Sequence, residues 1–132
     1  MSPPPVAPPA AQPPPPQTTK CPAGGPKTEV PAGEKCPPPT NAVRVTFSRG
    51  ALQWTVNVKN NAGIGGSCTY KATGALTGAT GASNNFDIGP NGTASFPVPA
   101  PPLLTTWDTV TSCTGTYEGQ QVEFGHDEQQ VP

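Results

Sequence analysis

From Asn41 onwards, hydrophobic and polar residues alternate along the chain, which predicts β-strands that are buried on one face. Ser48-Arg49-Gly50 interrupts the alternation and is typical of a tight connection. The two strands on either side are therefore predicted to form an antiparallel hairpin. Their inward positions are Val43, Val45 and Phe47 on the first strand, then Leu52, Trp54, Val56 and Val58 on the second.

Five further strands follow in the predicted order. The turns between them are Gly89-Pro90-Asn91-Gly92 and the two-residue hairpin Glu118-Gly119. Residues 60–66 and the weakly patterned residues 73–85 are predicted to be loops. Pro97, Pro99, Pro101 and Pro102 lack the backbone N–H that a central strand needs, so this segment is predicted to be an edge strand or a crossover. The packing residues of these strands are Cys68, Tyr70 and Ala72; Phe86 and Ile88; Ala94, Phe96 and Val98; Trp107, Val110 and Cys113; Val122 and Phe124.

Seven short strands with frequent turns, and no amphipathic helical period, predict an all-β fold. We expect a small antiparallel β-sandwich of the immunoglobulin or fibronectin type. In antibody domains the disulfide joins the second and sixth strands, and a tryptophan lies on the third. Here the cysteines fall on the predicted third and sixth strands and Trp54 on the second, which leaves the topology open.

The first 40 residues have a different composition, because they hold 15 of the 21 prolines and no aromatic residue. Such a segment cannot bury enough apolar surface to offset the entropy of ordering it. The sequence therefore predicts two parts, a flexible proline-rich stalk at 1–40 and a β-sandwich domain at 41–132. Proline runs favour extended polyproline II, which indicates a spacer; the alternative is a docking ligand for an SH3-like or WW-like partner.

The four cysteines are Cys21, Cys36, Cys68 and Cys113. An even number in a short chain favours disulfides and an oxidising compartment. Three pairings are possible, and we expect Cys21–Cys36 with Cys68–Cys113 because each pair then lies within one part of the chain. A zinc site needs closely spaced cysteine pairs, which are absent, and the chain has one histidine, so we expect no metal.

The charge pattern excludes some classes of partner. The net charge is −1 without a clustered basic face, so we expect no nucleic acid.

No apolar run is long enough to span a bilayer. The start at Met1-Ser2-Pro3 resembles a cut placed after a removed signal or anchor, so we expect membrane attachment only through an anchor outside this sequence. The domain is expected to be a monomer.

No residue cluster specifies a reaction, so we expect no catalytic residue, no cofactor and no enzyme. His126 lies beside Asp127 and Glu128. It could act as a metal ligand or as a general base, but we expect it to be a solvated residue after the last strand. The scattered carboxylates could meet as a glycosidase pair, although surface solubility explains them. These are Asp87, Asp108, Glu118 and Glu123.

Two further patterns have ordinary explanations. Asn91-Gly92-Thr93 matches the N-glycosylation pattern, which here is expected to mark a turn. Four aromatic residues could form an exposed platform for sugar rings or peptide, but the chain has few aromatics and its core needs most of them. These four are Trp54, Tyr70, Trp107 and Tyr117.

The chain resembles proline-rich cell-envelope proteins of mycobacteria and related actinobacteria. The motifs that carry this resemblance are Gly66-Ser-Cys-Thr-Tyr, Gly89-Pro-Asn-Gly-Thr, Ser112-Cys-Thr-Gly-Thr-Tyr-Glu-Gly and Val122-Glu-Phe-Gly-His. The resemblance implies export, a cell-envelope location and a function that has not been characterised.

Two functions remain in view. The first is a structural or protein-interaction module, held on the stalk, that touches an envelope protein or wall polymer through the edge strand at 95–98 or the loops at 60–66 and 73–85. The alternative is a binding module for a small ligand or cell-wall glycan that uses loop and aromatic surfaces.

Overall fold

The computed structural model describes residues 2–5, 17–102 and 105–132, and within these ranges it contains β-strands and no helix. No membrane-crossing helix is therefore present in the described residues. The strands are Thr18–Lys20 (β1), Glu29–Pro31 (β2), Val43–Ser48 (β3), Gln53–Asn60 (β4), Gly66–Gly74 (β5), Thr80–Ile88 (β6), Thr93–Pro99 (β7), Trp107–Tyr117 (β8) and Gln120–Val131 (β9).

Seven of these strands form two packed antiparallel sheets. One sheet has the order β3-β4-β7 and the other β6-β5-β8-β9, while β1 and β2 pair separately. The predicted all-β antiparallel sandwich is therefore confirmed. The fourth strand of the sandwich, β6, pairs with β5; in a constant-type immunoglobulin domain the corresponding strand lies in the other sheet.

The first predicted hairpin is confirmed, with a register that runs from Val43↔Asn60 to Ser48↔Thr55. Its connection is longer than expected and covers residues 49–52. The prediction that Leu52 faces inward is wrong, because this side chain lies before β4 and is 90% exposed. The Glu118-Gly119 turn is confirmed: both residues have positive φ, 50° and 76°, as a type I′ turn requires.

Residues 73–85 are not the loop that the sequence predicts. β5 continues to Gly74 and β6 already begins at Thr80, so the turn covers only residues 75–79. β6 is hard to recognise in the sequence because its early residues are small or polar. Backbone pairing with β5 holds them in place, with a register shift between Lys71 and Thr73.

The inward face of β8 also differs from the prediction. Val110 was expected to pack in the core, yet it is 36% exposed, whereas Thr109 and Thr111 are buried. Cys113 faces the core, and Thr109 and Thr111 precede it at every second position, so they face the core as well. Threonine tolerates this position because the Thr109 hydroxyl donates to the backbone carbonyl of Gln129.

Between the sheets lies one hydrophobic core to which every strand of the sandwich contributes. Most of the predicted inward residues are confirmed here, and β7 is an edge strand as its prolines predict. The largest contributions come from aromatic and branched side chains. Its buried members include Val43, Val45, Trp54, Val56, Val58, Cys68, Tyr70, Ile88, Phe96, Val98, Cys113, Phe124 and Val131.

Residues 17–40 belong to the predicted stalk at 1–40, and within them β1 and β2 pair. Contacts with the sandwich also extend to this segment. The backbone N–H of Gly63 in the sandwich donates to the carbonyl of Ala23, while within the segment the N–H of Thr40 donates to the carbonyl of Gly24. Val30 is buried. The proline runs at 6–16 lie outside the described residues.

Candidate functional site

The sandwich has two different ends. At the arm end, which includes Asn60, the Glu118-Gly119 turn and residues 21–40, the N-terminal segment packs against the sandwich. At the pocket end lie residues 49–52, the turn at 75–79 and residues 99–102. β8 connects them, from Trp107 at the pocket end to Tyr117 at the arm end, a span of roughly 33 Å.

The disulfides follow the pairing that the sequence predicts. Cys68 and Cys113 lie directly opposite each other on β5 and β8, with their Cα atoms 4.0 Å apart. This bridge therefore joins neighbouring strands of one sheet, whereas the antibody bridge joins two sheets. Cys21–Cys36 closes the arm segment with a Cα–Cα distance of 5.4 Å.

At the pocket end the two sheets leave a mainly apolar pocket of about 280 Å³. All strands of the sandwich contribute to its wall, and the proline-containing residues 99–102 extend that wall. None of the lining side chains carries a charge. The residues that line it are Phe47, Trp54, Tyr70, Ala72, Gly81, Ala82, Val98, Pro99, Ala100, Pro101, Pro102, Trp107 and Val131.

Aromatic rings build the inner part of this pocket. The Phe47 ring lies 6.1 Å from Trp54 and 6.5 Å from Tyr70, measured between ring centroids. Tyr70 in turn contacts Phe96 edge to face at 5.3 Å. Aromatic pairs with this geometry stabilise one another beyond their buried area. The pocket wall is therefore part of the core.

A cation lies at one side of the pocket. The Arg49 guanidinium carbon is 5.1 Å from the centroid of the Trp54 ring, which is a cation–π contact. Arg49 belongs to the connection between β3 and β4 and does not line the pocket itself. Arg49 therefore contacts a lining residue of the pocket, Trp54, without being part of the lining.

Two polar groups of the pocket residues have no hydrogen-bond partner in the described part of the chain. One is the indole N–H of Trp107, which is buried. The other is the Tyr70 hydroxyl: the Tyr117 hydroxyl donates to the carbonyl of Cys36, whereas that of Tyr70 makes no hydrogen bond with the described residues, and burial raises the pKa of Tyr70. A tyrosine hydroxyl is protonated at neutral pH, and the direction of this pKa shift preserves that state. An apolar pocket with few polar groups is typical of a small-molecule site.

From the sequence, four aromatic residues could form an exposed platform or take a place in the core, and the structure gives the position of each. Trp54 and Tyr70 are buried, which confirms the core interpretation for both. Trp107, half-buried, joins them around the pocket. Tyr117 lies at the other end of β8, where its hydroxyl donates to the carbonyl of Cys36 at 2.9 Å. The four residues therefore form no common surface.

His126 lies within β9 and not after the last strand, on an exposed face beside two carboxylates. Its Nε2 is 3.0 Å from Glu128 and its Nδ1 is 3.4 Å from Glu123. The Ser112 hydroxyl, opposite His126 on the neighbouring strand, donates to Glu123 and makes no hydrogen bond with the imidazole. This arrangement lacks the hydroxyl-to-imidazole hydrogen bond by which a histidine activates a serine nucleophile.

We expect the pKa of His126 to lie above its usual value of 6.5, mainly because Glu128 accepts a hydrogen bond from the imidazole. The sign follows from linkage: protonated His126 favours the folded state at low pH, and this contribution is lost as the pH rises through the folded-state pKa. NMR titration of the imidazole should show the raised pKa, and Glu128→Gln should lower it. An unchanged pKa in the variant would contradict the assignment.

The carboxylates that were weighed as a glycosidase pair, and preferred as surface residues, have separate neighbours. Asp87 accepts from Ser67, Glu123 accepts from Ser112, and Glu118 lies in the β8–β9 turn. Within the described ranges no group of three or more His, Cys, Asp or Glu side chains could hold a metal ion.

Asn60 is a buried residue that sequence reasoning missed. Its side-chain nitrogen donates to the carbonyls of Ile64 and Gly89, and its oxygen accepts from the N–H of Ala62. This one side chain joins the loop after β4 to the turn before β7, where Asn91 has a φ of 53°. The 60–66 loop, expected as an interaction surface, is thus tied to the arm end by internal hydrogen bonds.

The comparisons with known proteins give no relative: no family model, no curated protein and no solved structure matches the chain. The candidate site is therefore defined by its geometry.

Proposed function

We propose that this protein is a non-enzymatic extracytoplasmic binding module that contacts a component of the cell envelope through its pocket end. The observation that carries the proposal is the aromatic pocket between the sheets, at the end farthest from the arm segment. A proline-rich stalk attached at the arm end would present this pocket away from its point of attachment.

Three features support the proposed extracytoplasmic location and the choice of the pocket end as the binding surface. Two disulfides fit an oxidising compartment. The resemblance to mycobacterial proline-rich envelope proteins supports the cell envelope as the particular extracytoplasmic location. Leu52 and Leu76 lie in the connections at the pocket end, with exposures of 90% and 97%. Exposed apolar side chains around a pocket are typical of interaction sites.

Site-specific photo-crosslinking in the producing cells tests this function. A benzophenone side chain replaces Leu52 or Leu76, and the matched control replaces Val110 on the outer face of β8. We expect both leucine positions to capture the same envelope component and the control to capture none. Equal capture from Val110, or none from either leucine position, would contradict the proposal.

A further inference from the structure

We infer that the pocket binds a neutral, mainly apolar small molecule whose single hydrogen-bond acceptor is held by the Tyr70 hydroxyl. This inference rests on the proposed binding function and names the class of ligand. It depends on the size of the pocket, the absence of charge in its wall and the unpaired polar groups beside it.

The volume sets the size of the ligand. A buried cavity of ~150 Å³ is enough for benzene, so a pocket of about 280 Å³ accepts on the order of ten carbon atoms. That is room for a substituted aromatic ring or a medium-length alkyl chain. A sugar ring of similar size would leave most of its hydroxyl groups without partners in this wall.

The wall sets the charge of the ligand. Every lining side chain is uncharged, and bringing an ionised group into such a site requires removing its hydration without a partner. Arg49 covers the Trp54 ring from the connection between β3 and β4 and offers no inward ion pair. The ligand portion inside the pocket is therefore neutral.

The Tyr70 hydroxyl sets the polar contact. Tyr70 lines the pocket, and a phenol that makes no hydrogen bond with the described residues is an available donor. A carbonyl or ether oxygen on the ligand would complete this hydrogen bond. The Trp107 indole N–H is a second unpaired donor among the same lining residues.

Acetophenone and cumene form a matched pair of probes, since a methyl group in cumene replaces the ketone oxygen. Parent protein is expected to bind both, as measured by NMR titration. Tyr70→Phe should weaken acetophenone binding about fivefold, the worth of one hydrogen bond, and leave cumene within about twofold. The control Tyr117→Phe changes the other tyrosine of the chain and should leave both affinities unchanged.

Stability measurements separate a lost ligand contact from a damaged fold. Tyr70→Phe removes a hydroxyl that has no described partner, so the free energy of unfolding should stay the same or rise. Tyr117→Phe removes the bond to Cys36 and should lower it by a small amount. The inference is overturned if the parent binds neither probe, or if Tyr70→Phe weakens both probes equally or neither.

The two proposals fail separately. Absence of probe binding together with crosslinks from Leu52 and Leu76 would overturn the ligand class and leave the binding function standing. Tyr70-dependent binding of acetophenone without those crosslinks would overturn the envelope contact and support the pocket.

Discussion

Replacing both Cys68 and Cys113 with alanine is expected to lower the free energy of unfolding by about 4 kcal/mol. The bridge closes a loop with a sequence separation of 45, and the chain-entropy model assigns a loop of that length about 4 kcal/mol. Both cysteines are also fully buried in the core, so their removal leaves a gap between the sheets.

Urea denaturation measures this change, with the Cys21→Ala/Cys36→Ala double variant as the control. That bridge closes a shorter loop, with a separation of 15, and the same model assigns it about 3 kcal/mol. The core bridge should therefore be the more costly to remove. A loss below about 1 kcal/mol for Cys68 and Cys113, or a larger loss for the arm pair, would contradict this ranking.

Asn60→Ala is expected to lower the free energy of unfolding by about 3 kcal/mol. The amide is fully buried and makes three hydrogen bonds to backbone groups of two different segments. Each buried backbone group that loses its partner costs about 1–3 kcal/mol. Loosening of residues 60–66 and of the turn before β7 should accompany the loss.

Asn57→Ala is the matched control for this variant, because Asn57 lies on the same strand and also makes side-chain hydrogen bonds. Its partners are the exposed hydroxyls of Ser48 and Ser95, which water can replace. Urea denaturation should show a loss of less than about 1 kcal/mol for Asn57→Ala. Equal losses for the two asparagine variants would show that the Asn60 hydrogen bonds have no special role.

Much of the fold can be read from alternation, because a half-buried strand must place an apolar side chain at every second position. This holds for β3, for most of β4 and for β7, where the apolar residues are large. It fails in β6, whose early inward position, Ala82, is too small to stand out. It also fails in β8, where Thr109 and Thr111 are buried although their residue type indicates exposure.

The pocket could not be read from the sequence in the same way. Its lining residues run from Phe47 to Val131, and only the packing of the two sheets brings them together. Residues 99–102 were predicted as an edge or crossover from their prolines, and nothing in that pattern indicates a pocket wall. The unpaired state of the Tyr70 hydroxyl depends on its neighbours in space and leaves no sequence signal.

The most direct test of binding at the pocket end is the ¹H–¹⁵N NMR spectrum of the protein during titration with acetophenone. Saturable shifts are expected for the indole N–H groups of Trp54 and Trp107 and for the backbone amides of Tyr70 and Ala82. The amides of Asn60 and Tyr117 at the arm end should stay unchanged. Shifts that cluster at the arm end, or no saturable shift at the pocket, would contradict binding there.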